Sequence, residues 1–248
     1  LGGMKLFVHH GDMVVIKPNM SWYADPDQAA NTNPLLIKRI TEHCFDAGAR
    51  KVYVFDNILA RNAYQASGIE RAAKDAGAEV VPANVERYFQ TVSLPDAKKL
   101  QSTKVHELLL QADAFINVPV LKHHGSTHLS LGMKNLMGCV WDRSYFHRNN
   151  LDQCIADFVT FKKPTLNVID AYRVMKNGGP GGRGNSEVLL KKMQILSTDI
   201  VAADAAAAAQ GQLWGIYGAG DVKYIEYAHQ MGLGTADLKE LSVRKIVL

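Results

Sequence analysis

Short β-branched runs alternate with segments of helical periodicity along most of this chain, and that alternation restricts the fold more than any single motif does. "DMVVIKPN" (12–19), "KVYVFDN" (51–57), "AEVVPA" (78–83), "DAFINVPVL" (113–121), "TLNVIDAY" (165–172) and "KKMQILST" (191–198) read as strands. Between them, "NPLLIKRITEHCFDAGA" has a helical period, with Asn33 as N-cap, Pro34 at the first helical position and Gly48 at the end. "ARNAYQASGIERAAKDAG", "KVHELLLQA", "LGMKNLMG", "NLDQCIADFVTFK", "DIVAADAAAAAQG" (199–211, capped by Ser197 or Asp199 and closed by Gly211) and "DVKYIEYAHQMG" also read as helical. Strands in alternation with helices predict an α/β protein: a mostly parallel sheet covered on both faces, in a three-layer Rossmann-like arrangement. A last short strand is expected at "SVRKIVL". No repeat, low-complexity tract or linker divides residues 1–248, so one α/β domain is expected, with elaborations at 84–103 and 140–150.

The chain carries 47% hydrophobic and 21% charged residues, a composition able to bury a sizeable core. No apolar run approaches the roughly 18–20 residues of a membrane-spanning helix. Net charge is +4, and the lysine pairs at 98–99, 162–163 and 191–192 are scattered. That argues against a nucleic-acid surface, which concentrates its basic residues, and fits a small anionic partner. Cys44, Cys139 and Cys154 lack CxxC spacing, so neither a disulfide framework nor a complete iron–sulfur site is expected here. "LGGMKLFVHHGD" reads as the tail of a helix already under way, which predicts a start inside a longer precursor. The protein is then cytoplasmic, or exported by a signal segment upstream.

In open α/β sheets ligands bind beyond the C-terminal ends of the strands. Four strands end there in polar residues: Lys17 and Asn19, Asp56 and Asn57, then Lys122, His123 and His124, and Asp170. Of nine histidines, four (His123, His124, His128 and His147) fall between 123 and 147. Imidazoles ligate metals, hold anions and move protons near neutral pH. Gly125, Ser126 and Thr127 make the segment between His124 and His128 a loop rather than a helix. Lys134 and Asn135 follow Gly132 at a helix start, where free N–H groups and a lysine suit a carboxylate or phosphate. "NGGPGGRGN", with Arg183, is a glycine-rich loop, but neither GxxxxGK[ST] nor an early GxGxxG occurs, so nothing supports ATP or a dinucleotide.

"GDMVVIKPN", "NTNP", "AGA", "ADAFINVPVLKHH", "LSLGMKNLMG", "FHRNNL" and "VIDA", in this order from about residue 10 to 211, resemble the bacterial and archaeal domain-of-unknown-function 362 family. Some members carry a ferredoxin-like iron–sulfur module or a twin-arginine signal. The resemblance therefore implies an iron–sulfur protein partner, or a homo-oligomer, as possible company for this chain. A more distant resemblance links paired histidines, a lysine and a later histidine to the nickel-dependent lactate racemase family. It implies proton transfer at His123 or His124, a pincer-cofactor contact at Lys134 and nickel at His147, although "GMKNLMG" replaces that family's context around the lysine.

The expectation is an enzyme of racemase or isomerase type, or one using another metal-assisted proton transfer, on a small anionic substrate. His124, His123 and Lys134 would be catalytic. Lys17, Asn19, Lys122, Asn135 and Arg183 would bind substrate. A divalent metal would take His128 and His147, with Asp56 or Asp170 as ligand or as orienter of an imidazole. The alternatives are a non-catalytic metal- or anion-binding module and a redox partner of an iron–sulfur protein.

Overall fold

A computed structural model describes residues 1–60, 62–181 and 186–247. The strands are β1 (Met13–Pro18), β2 (Lys51–Val54), β3 (Glu79–Val80), β4 (Phe89–Ser93), β5 (Ser102–His106), β6 (Ala114–Val118), β7 (Val120–His124), β8 (His128–Ser130), β9 (Leu166–Met175) and β10 (Val188–Ser197). The helices are α1 (Pro34–Asp46), α2 (Ala63–Ala66), α3 (Ile69–Asp75), α4 (Glu107–Gln111), α5 (Gly132–Asn135), α6 (Arg143–Arg148), α7 (Leu151–Phe161), α8 (Ile200–Leu213) and α9 (Lys223–Gln230).

Eight strands form one sheet in the order β3-β2-β1-β6-β9-β7-β8, with β10 on the other side of β9. Pairings among β3, β2, β1, β6 and β9 are parallel, as are those of β7 with β9; β8 and β10 run antiparallel to their partners. Every residue of β1 is buried because the strand lies between two parallel neighbours with helices on both sides. Its side chains alternate between two cores. Val14 and Ile16 pack with Ile37, Ile40, Ile69 and Ala73 of α1 and α3. Val15 packs with residues that include Met133, Ile155, Phe158 and Val201 of α5, α7 and α8. The period of two along a strand with both faces covered produces the three layers, as expected.

Asn33 caps α1 by accepting the Leu35 N–H at 3.0 Å, Pro34 opens the helix and Gly48 follows it at φ 104°, a conformation open to glycine. At α8 the cap is Asp199, which accepts from Val201 and Ala202; the helix runs past Gly211 to Leu213.

Three elements differ from the sequence reading. "DAFINVPVL" does not end at Leu121: Pro119, which has no N–H, divides it into β6 and β7, and β7 continues through Lys122, His123 and His124. The 84–103 excursion contributes β4, which pairs with β5 in a separate two-stranded sheet, so Lys104–His106 is strand before α4 begins. "SVRKIVL" is no strand over its described residues; it lies exposed without a ladder partner. Among the described residues no helix is long and apolar enough to cross a membrane.

Candidate functional site

A row of polar side chains crosses the α5–α8 face of the sheet. Lys17 of β1 is the register partner of Asn117 of β6, which in turn partners Asn167 of β9. Asn117 Nδ2 donates to Asn167 Oδ1 (3.1 Å) and to the Gly132 carbonyl (3.0 Å). Asn135 Nδ2 donates to Asn117 Oδ1 (2.9 Å) and to the Lys17 carbonyl (3.1 Å), and Asn135 Oδ1 accepts from Lys17 Nζ (3.0 Å). From above, the fully buried Asp204 of α8 accepts the Gly132 and Met133 N–H groups at 2.6 and 2.9 Å. The four-residue turn α5, too short to be stable alone, is thereby pinned between sheet and helix. Burial pushes the Asp204 carboxyl up to about 7, against the two N–H bonds that pull it down.

Lys17 and Asp56 are both 1% exposed and meet at 2.9 Å. The ammonium also donates to the Pro18 carbonyl, and Asp56 Oδ2 accepts from Met20 N and Ser21 Oγ. Asp56 Oδ1 accepts no aligned hydrogen bond, so its partner is the lysine charge alone. Gly138 covers the pair with no room to spare: a Cβ there would lie 1.9 Å from Asp56 Oδ1. Asn57 is used on the same segment, donating to the Val140 carbonyl at 2.7 Å.

The two further lysines differ sharply in their surroundings. Lys122, 1% exposed, gives its ammonium to the Ala30 carbonyl, the Pro180 carbonyl (3.0 Å) and Asn19 Oδ1 (3.4 Å). It ties the loop after β1 to the glycine-rich loop. Lys134, 8% exposed, finds only the Met137 sulfur, at 3.6 Å. Burial brings the Lys122 amine down to about 7, with Lys134 adding to the effect, and the Lys134 amine to about 8, with Arg143 opposing Asp152. Burial, then Lys134 and Lys122, hold His124 neutral by pulling it to about 2. Its Nδ1 accepts the Ser126 N–H at 3.0 Å, which assigns the proton of the neutral ring to Nε2. Burial followed by Lys134 also lowers His147, exposed on α6. Arg143, half-buried, donates to the Asn57 and Ile58 carbonyls at 2.5 and 3.0 Å.

His124 and His128 pair across the β7–β8 hairpin, with Gly125–Thr127 as its loop. His123 Nδ1 accepts the Gly179 N–H at 3.2 Å, and its ring packs on Tyr217, as does that of His128. His128 Nδ1 bonds the Asp221 carbonyl at 2.6 Å. Asp170 lies within β9 rather than at its end, and its carboxylate accepts from Asn33 N (2.7 Å) and Tyr172 N (3.0 Å). The four residues expected as metal ligands are therefore not brought together, and among the described residues no group of three histidine, cysteine, aspartate or glutamate side chains could hold a metal ion. A nickel or other divalent set does not fit these side chains as they stand. Arg183 lies outside the described residues. Two surface hollows, of about 430 and 540 Å³, are lined by other residues, including Lys98 and Lys163 in one and Trp141 and Tyr145 in the other. The lysine–histidine group lies under the surface, opening at His123, His147 and the hairpin tip.

Sequence reasoning missed Asn117, Asn167, Asp204, Arg143 and Asp152. Two had a signal: Asn117 is the one polar residue in "AFINVPV", and Asp204 the one charge in "VAADAAAAA". A polar group in an apolar run is retained only when partners await it.

Residues 14–209 match the family model described as a domain of unknown function, DUF362, and the chain belongs to that family. This is the family its motifs resemble. A thylakoid-associated protein of Synechocystis sp. is 25% identical over 217 residues, which span 82% of this chain and 66% of that relative. The match thus covers slightly less than two thirds of the relative's length.

Proposed function

We propose that this chain is an enzyme that acts on a small anionic substrate at Lys134. One observation carries the reading: a lysine nine-tenths buried whose ammonium meets a thioether and no oxygen. An ammonium so placed costs several kcal/mol in desolvation that nothing nearby repays. An arriving carboxylate or phosphate oxygen supplies the missing partner. The amine, brought down to about 8, exchanges its proton near neutral pH and suits general acid–base work. His124, neutral and carrying its proton on Nε2, is a donor to the anion rather than a base. His123 orders the glycine-rich loop through Gly179 and shapes the rim. Lys17, Asn19, Lys122 and Asn135 have their polar groups engaged by protein atoms and hold the floor of the site in register. No step is drawn through a metal.

Proton transfer of the racemase or isomerase kind is read out by deuterium wash-in. The protein is incubated in D₂O with a panel of small 2-hydroxy and 2-oxo carboxylates and phosphate esters, and carbon-bound deuterium is followed by NMR. Exchange is expected with the parent chain and is lost in Lys134→Met. It is partly kept in His124→Gln, whose amide N–H₂ replaces the Nε2 donor. Anion binding at Lys134 without exchange would favour a non-catalytic anion holder. Unaltered anion binding in Lys134→Met would remove the site altogether.

A further inference from the structure

The charges around Lys134 do not balance. Lys17, Lys122, Lys134 and Arg143 lie within electrostatic reach of one another through a chain of neighbours that includes only two carboxylates, Asp56 and Asp152. Asp56 is spent on Lys17, in contact at 2.9 Å. Asp152, half-buried in the first turn of α7, feels Lys134 but forms no ion pair with it, and it also faces the exposed Lys223. Lys122 is surrounded by neutral oxygens, which satisfy its donors without cancelling its charge. Four cations facing two carboxylates leave two positive charges with the imidazoles neutral, and protonating His124 or His147 would only enlarge the excess.

Solvent does little to relieve this. Lys122 and Lys134 are 1% and 8% exposed, so counterions do not reach them as they reach a surface lysine. We infer that the site is built for a small dianion, such as a phosphate monoester or a dicarboxylate, in preference to a monocarboxylate. This rests on the anion-binding reading above and narrows it. A monoanion would leave one buried charge uncompensated, and a dianion closes the balance. The contacts available are the Lys134 ammonium, the His124 Nε2–H, and the N–H donors of Arg143 beyond the two it gives to carbonyls; a guanidinium fork is suited to two oxygens of one group. Lys122 contributes charge at a distance rather than contact.

Calorimetric titration of the chain at pH 7.5 with methyl phosphate and dimethyl phosphate separates charge from phosphorus chemistry, because the first is mainly dianionic and the second is a monoanion. Methyl phosphate is expected to bind at least about tenfold more tightly. Succinate against acetate makes the same comparison for carboxylates, and the tighter of the two dianions assigns the source. Lys134→Met is expected to erase the preference. Asp152→Asn, which removes a counter-charge outside the contact set, is expected to tighten methyl phosphate about threefold, through charge alone. Equal affinity for dianions and monoanions, or no tightening in Asp152→Asn, would overturn the dianion inference and leave a simple anion site. A folded protein that binds none of the four would overturn both.

Discussion

Lys17 Nζ stands 2.9 Å from Asp56 Oδ1, and the backbone of Gly138 closes directly over the pair. This contact joins β1, the residues after β2 and the end of "GMKNLMG" in one buried joint, reinforced by the Asn57 N–H on the Gly138 carbonyl at 2.9 Å. A methyl group at 138 would fall 2.5 Å from Lys17 Cε as well as against the carboxylate, and buried neighbours on all sides give it nowhere to go. Gly138→Ala is expected to destabilise the protein by about 3 kcal/mol or more, combining overpacking with damage to the ion pair. Urea unfolding reads this directly, and an unchanged midpoint would mean the segment has space.

Removing the cation alone should be worse than removing both charges. Lys17→Met leaves Asp56 buried opposite nothing, at an expected loss of about 3–5 kcal/mol. Adding Asp56→Asn discharges the orphan while keeping an acceptor for Met20 N and Ser21 Oγ, so the double variant should recover part of the loss. Additive losses in the unfolding midpoints would contradict the pairing.

The layers were legible because they rest on local rules. Alternation of strand and helix, the Asn33 cap, Pro34 and Gly48 each act within a few residues, and the structure keeps all of them. The Lys–His segment was legible as unusual, because cations in an apolar run conflict with core packing. What each lysine does was not legible. Lys17, Lys122 and Lys134 read alike in sequence, yet one is paired with a carboxylate, one is saturated by carbonyl and amide oxygens and one faces sulfur. Those partners come from residues 39, 92 and 3 positions away, respectively, and only the last separation is local. The expected metal set failed for a related reason. His128 and Asp170 had backbone partners waiting at Asp221, Asn33 and Tyr172, which strand-end logic does not reveal.

Asp204 is expected to act as the positioning residue for Lys134. Both of its oxygens hold the turn that carries the lysine, and an amide side chain offers only one acceptor to the two N–H groups. Asp204→Asn should lose about 1–3 kcal/mol by stranding one buried N–H. The specific signature is faster amide hydrogen exchange at Gly132 and Met133 than at β1, which a uniform loss of stability would not produce.

The buried Lys134 ammonium should also be visible in the pH dependence of stability. Its folded value, about 8, lies below the unfolded 10.5, so between these values the unfolded chain binds more protons and stability rises with pH. The penalty for burying the charge is fully present below about 8 and is relieved on the way to 10.5. Lys134→Met has no charge to bury and keeps comparable bulk, so at pH 7 it should exceed the parent by roughly 2–3 kcal/mol, at about 1.4 kcal/mol per pKa unit. Melting curves at pH 7, 8.5 and 10 should show that advantage shrinking as the parent's lysine discharges, while the tyrosines, common to both proteins, cancel in the comparison. Saturating the parent with a dianion at pH 7 should close the same gap without changing the pH, because the bound anion supplies the partner that the lysine lacks. A variant less stable than the parent at pH 7, or a gap that stays constant to pH 10, would mean that Lys134 is not buried as a lone charge.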